Sequence, residues 1–331
     1  MIALGIESTA HTFGVGIVSS DGDILANVAD SYVSTEGGMR PLDLAEHHSK
    51  VASRVMRAAL KEAQISKNDI DLVGFSQGPG IGQALTIGGA VARMISQVLK
   101  VPLVGVNHPI AHIEIGRLVT GARDPLVVYV SGGNTQIIAH VGDRYCILGE
   151  TLDIGFGNAQ EKLGRLIGLP FPAGPSMDKM KGRWVDLPYT VKGMDLTFSG
   201  IVTEAERRIS RGEKIEDVVW SFMEVCLSMI VEVSERALAH TRKKELLLVG
   251  GVAASPRLRK KLEVMCKDRG VEFLTPPPSL ARDNGAMIAW TAILAYQVGG
   301  YIDIEASRIK PTWRPDDLAW PLIDLRRCLT E

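Results

Sequence analysis

Two stretches decide the fold: 2-IALGIESTAHTFGVGIVSSDGDILA-26 and 126-LVVYVSGGNTQIIAHVGDRYCIL-148. Each opens with an apolar run that ends at a Ser/Thr/Gly turn. Each continues into a second β-rich run, a tight turn (Ser20-Asp21-Gly22, Val141-Gly142-Asp143) and a third run. β-branched runs punctuated in this way predict a three-stranded meander, written twice. After the first copy, 41–64 has helical periodicity, 71–77 reads as a buried strand, 84–100 as a helix and 103–106 as a strand. After the second, helical patterns at 157–167 and 215–240 precede a strand at 245–251, a helix at 256–269, a strand at 271–274 and a helix at 284–298. Strands that alternate with helices pair in parallel, with helices on both faces. The matching order predicts a duplicated α/β unit in two lobes with a cleft between them. The first lobe is expected at 1–123, joined by 301–331, and the second at 124–300.

Composition narrows the function. With 37 basic and 38 acidic residues the net charge is −1, which disfavours an autonomous nucleic-acid binder. The four cysteines, Cys146, Cys226, Cys266 and Cys328, form no CxxC pair and read as reduced, buried or partly buried residues. The start, 1-MIALGIEST, has no basic leader, and the longest apolar segment, 285–300, is too short for a bilayer. These features together predict a cytoplasmic protein without a membrane partner.

Three loops could carry chemistry. Ser131-Gly132-Gly133-Asn134 lies between two strands, where paired glycines permit positive φ and a nest of amides for an anion; an ordinary hairpin turn has the same composition. The loop 249-VGGVAASPRL-258 lets a flat ring approach Gly250 and Gly251, with Ser255 as helix cap. In 276-PPPSLARDNGAMIAW-290, Asp283 is either a helix cap or a carboxylate open to a ligand. No GxGxxG or GxxxxGK[ST] motif occurs.

In 102-PLVGVNHPIAHIEIG-116, His108 and His112 fall on one face of a helix capped by Asn107. A zinc-protease helix would read HExxH, but Pro109 follows the first histidine, so the general base of a peptidase is missing. The pair alone does not decide between a metal site and a buried turn, because a metal needs ligands from elsewhere.

Together, 108-HPIAH-112, 129-YVSGGNTQ-136, 152-LDIGFGNAQEK-162, 250-GGVAA-254 and 282-RDNGAMIA-289 resemble, in order, the tRNA threonylcarbamoyltransferase family. This is the group of bacterial TsaD and its archaeal and eukaryotic relatives in the KEOPS complex. The stretch 8-STAHTFGVGI-17 resembles the archaeal–eukaryotic branch. The resemblance implies the actin-like, sugar-kinase-like (ASKHA) fold. It implies one metal ion, iron ahead of zinc, on His108, His112, Tyr129 and Asp283. It implies a nucleotide (threonylcarbamoyl-AMP, AMP or ATP) against Tyr129, Val130, Ser131, Gly132, Gly133 and Asn134, near Gly250, Gly251 and Ser255. Its ribose would lie by Glu161, Gly174 and Asp178.

The chain departs from the family pattern at several of these positions. Glu161 stands for the family's aspartate, Ala173 for a glycine, Asp178 for a glutamate and Ser255 for an asparagine. The implied reaction carries threonylcarbamoyl from threonylcarbamoyl-AMP to N6 of the adenine 3′ of the anticodon, in tRNAs that read codons beginning with A. Implied partners are tRNA, a small dimerising subunit on the first lobe and an atypical kinase on the second, fused to the chain in some relatives. Glu7 and His11 are candidate bases, with turn bonding or packing as the plainer role of each. Rival readings are a small-molecule kinase of the same fold and a non-catalytic nucleotide-dependent assembly subunit.

Overall fold

The computed structural model describes residues 1–33 and 40–322; Cys328 lies outside the described residues. Among the described residues twelve strands form, in chain order: β1 Ile2–Glu7, β2 Thr12–Ser19, β3 Ile24–Ser31, β4 Leu72–Gly78, β5 Leu103–Asn107, β6 Leu126–Val130, β7 Thr135–Val141, β8 Arg144–Glu150, β9 Val191–Lys192, β10 Asp195–Leu196, β11 Glu245–Val249 and β12 Glu272–Leu274. The chain divides into one compact unit of Met1–Gly121 with Asp283–Glu331, and another of Ala122–Arg282.

In the first unit the sheet order is β3-β2-β1-β4-β5. In the second it is β12-β11-β6-β7-β8, the same order read from the other edge. Each sheet begins with an antiparallel meander; the fourth strand then pairs in parallel with the first, and the fifth in parallel with the fourth. The duplicated α/β pattern is therefore present in each unit's strand order.

Alternation along the first sheet explains its two faces. Leu4, Ile6, Phe13, Val15, Ile17, Val73 and Phe75 pack with Val51, Val55 and Ala59 of the helix Pro41–Ala63. Leu44 and His48 are buried on the same helical stripe. The intervening glycines face the helix Gly285–Gln297. A Cβ on Gly5 would lie 2.1 Å from the Ala289 nitrogen, one on Gly16 2.0 Å from the Ala286 nitrogen, and one on Gly285 2.0 Å from the Gly16 nitrogen. Only glycine permits so close an approach. The helix expected to close the second lobe therefore belongs to the first unit, and the boundary falls before Asp283 instead of near 300.

The segment after this helix is tied to the same unit. The Gln77 amide donates to the Arg308 carbonyl at 2.7 Å, and the Asn107 amide donates to the Trp313 and Arg314 carbonyls at 3.3 Å. Trp320 Nε1 donates to Glu114 Oε1 at 2.9 Å, while Arg117 Nη1 donates to Glu114 Oε2 at 2.7 Å. No helix among the described residues is long and apolar enough to cross a membrane.

Candidate functional site

The carboxyl ends of β1, β4 and β5 lie at one edge of the first sheet, where ligands of open α/β sheets collect. There β5 runs directly into the helix His108–Thr120. Asn107 Oδ1 accepts from the Ile110 N–H at 3.3 Å and Pro109 sits in the first turn, so the local chemistry starts the helix at His108. Both histidines are buried on it. Asp283 arrives from the other side, just before the helix Gly285–Gln297. The cap of that helix is Asn284, whose Oδ1 accepts from the Met287 N–H at 3.0 Å, and not Asp283. The aspartate is thereby left to face the histidines.

The three donor atoms form a near-equilateral triangle. His112 Nε2 lies 3.2 Å from His108 Nε2 and 3.2 Å from Asp283 Oδ1, and His108 Nε2 lies 3.4 Å from the same oxygen. Ligand bonds of roughly 2.0–2.1 Å at tetrahedral angles put neighbouring donors roughly 3.3–3.4 Å apart. The residues present thus fit a metal ion. Electrostatics favours the ligating forms. Burial pushes the His112 pKa below its ordinary 6.5, keeping the ring neutral, although Asp283 opposes this. Burial would raise Asp283, but His108 and His112 beside it outweigh that and hold its carboxyl well below the usual range.

Glu7 ends β1 and is fully buried. Its Oε2 faces His108 Nδ1 at 3.0 Å, and its Oε1 accepts from the Thr9 N–H at 2.7 Å and from the Thr9 hydroxyl. Both oxygens of this candidate base are therefore engaged. His11, the other candidate, is half-buried on the turn before β2, where its carbonyl accepts from the Tyr32 N–H at 2.8 Å.

The remaining candidates lie in the second unit. Tyr129 is buried on β6, opposite Gln136 of β7 and Val249 of β11. Gly250 follows with φ +96°, and a Cβ there would lie 2.3 Å from the Val130 carbonyl oxygen and 3.2 Å from Tyr129 Cδ2. Gly251 opens a short 3-10 turn, and a Cβ on it would meet nothing within 4 Å. Neither Gly132 nor Gly133 takes positive φ, contrary to what the loop composition allows. Instead the loop packs on the start of the helix Phe156–Leu166. Ser131 and Gly132 carbonyls accept from the Gly157 and Asn158 N–H groups at 3.1 and 2.9 Å. Asn134 closes the turn, its N–H donating to Ser131 Oγ at 3.0 Å. A Cβ on Gly133 would also meet nothing within 4 Å.

The positions that depart from the family pattern come together in pairs. Glu161 Oε1 accepts from the Ala173 N–H at 2.9 Å, next to Gly174. Ser255 donates to Asp178 at 3.0 Å while capping the following helix through the Leu258 N–H at 3.2 Å. Burial raises the pKa of both Glu161 and Asp178.

This unit carries basic clusters at 207–214, 242–244 and 257–261, and several of their side chains are paired. Arg208 bonds Glu204 and Glu213, Arg257 and Lys261 share Glu224, and Lys243 holds Asp124. Sequence reasoning missed the Glu7–His108 bond and the Glu114–Arg117–Trp320 cluster. Each joins residues far apart in the chain, and only the isolated charges in apolar runs hint at them.

The sequence matches the family TsaD, tRNA N6-adenosine threonylcarbamoyltransferase, over residues 23–290. A tRNA N6-adenosine threonylcarbamoyltransferase of Thermococcus kodakarensis is 49% identical over 322 residues, covering 96% of this chain and 98% of that protein. A probable bifunctional tRNA threonylcarbamoyladenosine biosynthesis protein of Methanocaldococcus jannaschii is also 49% identical, but this chain spans 59% of its length. Among solved structures, component A of the Acidaminococcus fermentans (R)-2-hydroxyglutaryl-CoA dehydratase aligns with a TM-score of 0.55 at 14% identity, covering 88% of this chain and 98% of that one. Full-length HypF aligns at 0.60 with 11% identity, over 90% of this chain and 46% of that one. These structural likenesses show the actin-like, sugar-kinase-like fold.

Proposed function

The chain belongs to the tRNA N6-adenosine threonylcarbamoyltransferase family, and on that premise we propose that it transfers threonylcarbamoyl from threonylcarbamoyl-AMP to N6 of the adenine 3′ of the anticodon, releasing AMP. The observation that carries this reading is the His108–His112–Asp283 triangle in a chain of this family. A metal held there, iron ahead of zinc, supplies Lewis acidity to an acyl or phosphate oxygen. Two imidazoles disfavour Mg²⁺, which prefers oxygen ligands, and so disfavour the kinase alternative. What supports Tyr129 as a further ligand is the family resemblance.

The chain's own residues have distinct tasks in this proposal. His112 stays neutral and Asp283 ionised, so both present lone pairs near neutral pH. The Ser131–Asn134 loop receives the AMP phosphate, and its Gly132 and Gly133 amides take up charge as the acyl–oxygen bond breaks. Tyr129, Val130, Gly250 and Gly251 flank the base, with Glu161, Gly174, Asp178 and Ser255 toward the ribose. The new bond forms between N6 and the carbamoyl carbon, and the amine then loses a proton, for which His11 is the candidate acceptor.

Partners follow from the same reading. Pairing of the basic clusters supports weak tRNA binding by the isolated chain and tighter binding with partner subunits. Leu42 on the helix Pro41–Ala63, with Met94 and Val98 on the helix Gly82–Leu99, are exposed apolar side chains fitted to a small dimerising subunit. The kinase would dock on the second unit, and tRNA as substrate puts the reaction in the cytoplasm. A single-turnover assay with threonylcarbamoyl-AMP and tRNA, with and without partner subunits, tests the proposal. Modified tRNA and stoichiometric AMP are expected. ATP-dependent phosphorylation of a small molecule without any transfer would replace this reading by a kinase.

A further inference from the structure

We infer that Glu7, braced by Thr9, is a positioning residue that fixes the His108 ring in the tautomer whose Nε2 lone pair faces His112 and Asp283. The inference deepens the metal reading above and rests on it. His108 Nδ1 has two oxygen neighbours, Glu7 Oε2 at 3.0 Å and the Thr9 hydroxyl at 3.4 Å. The Thr9 hydroxyl proton is directed to Glu7 Oε1, which also takes the Thr9 N–H. Toward His108 the hydroxyl therefore offers only a lone pair, and Glu7 Oε2 lies at hydrogen-bonding distance as an acceptor. With these two oxygens accepting, Nδ1 carries the proton, which leaves Nε2 as the ligating atom.

The arrangement is built into the sheet. Glu7 pairs with Gly14 in the β1–β2 register, and a Cβ on Gly14 would lie 3.5 Å from Glu7 Cβ and 3.1 Å from the Gly285 nitrogen. The same strand end thus supports His108 and adjoins the start of the helix preceded by Asp283. A glutamine at position 7 cannot serve both neighbours. If its oxygen faces His108, its NH₂ meets the Thr9 donors. If its NH₂ faces His108, it donates to Nδ1 and drives the proton to Nε2.

The test is titration of the metal-stripped full chain with Co²⁺, followed by visible absorption, for wild type, Glu7→Gln and Glu7→Asp. Thermal unfolding in chelator reports folding separately. Both variants should bind about 10–100-fold more weakly than wild type, with altered absorption, including the aspartate that keeps the charge but withdraws the oxygen. Glu7→Gln binding as tightly as wild type with the same spectrum overturns the inference and leaves the metal reading standing. Absence of Co²⁺ binding by wild type overturns the metal reading, and the inference falls with it. If the Glu7 variants do not fold, Thr9→Val carries the test: it should weaken binding, by less than about tenfold, and unchanged binding overturns the inference.

Discussion

His108 and His112 face each other through their Nε2 atoms at 3.2 Å, with Asp283 Oδ1 completing the triangle. A cation held between the three would accept a lone pair from each of them. His112→Ala should lower metal affinity by more than the roughly 100-fold that a change outside the ligand set costs. The apoprotein should still unfold cooperatively. Metal content by elemental analysis checks this, and stoichiometric metal in the variant would remove His112 from the ligand set.

Gly16→Ala should disturb the same centre from a distance. The new methyl would meet the backbone at Gly285 and Ala286, so the helix behind Asp283 must shift. Overpacking of this kind costs about 1–3 kcal/mol, occasionally more. Urea unfolding should show that loss, and Co²⁺ titration should show weaker binding. Full metal affinity alongside the lost stability would mean that the helix contact does not set the aspartate's place.

Much of this was legible in the sequence because strand alternation and turn chemistry are local. The meanders, the helix His108–Thr120 with its Asn107 cap, and the histidine pair all come from short-range signals. Other features are non-local. The helix Ser199–Ser210 has no cap of its own: the Phe198 and Ser199 N–H groups donate to Asp153, so nothing adjacent in sequence marks its start. The helix Gly285–Gln297 is almost wholly apolar, so no polar face indicates which sheet it serves. Glycines inside β1 and β2, at Gly5 and Gly16, were the available clue to a close backbone approach.

Gly133→Val should leave folding intact and weaken nucleotide binding. Its φ is ordinary and its Cβ position is open, so the substitution brings no internal clash. The side chain would occupy the space in which the AMP phosphate is proposed to sit. Calorimetric titration with ATP should show at least a tenfold loss, roughly 1.4 kcal/mol. Unchanged affinity would move the nucleotide off this loop.

Acid should destabilise the first unit through His48. This buried ring lies 3.0 Å from the Ala10 carbonyl, and burial pushes its pKa from 6.5 down to about 4. Between those values the unfolded chain binds the proton and the folded one does not. Stability is therefore fully present above pH 6.5 and falls as pH drops toward 4, by up to about 3 kcal/mol. Denaturant unfolding in chelator should show a shallower pH slope in that window for His48→Gln. An identical slope would assign the acid sensitivity to other groups.

The metal centre itself is tested most directly by anomalous diffraction at the absorption edge of whichever metal co-purifies with the protein. The account predicts one peak within about 2.3 Å of His108 Nε2, His112 Nε2 and a carboxylate oxygen of Asp283. A metal-replete crystal with no peak there, or with its peak elsewhere, would contradict it.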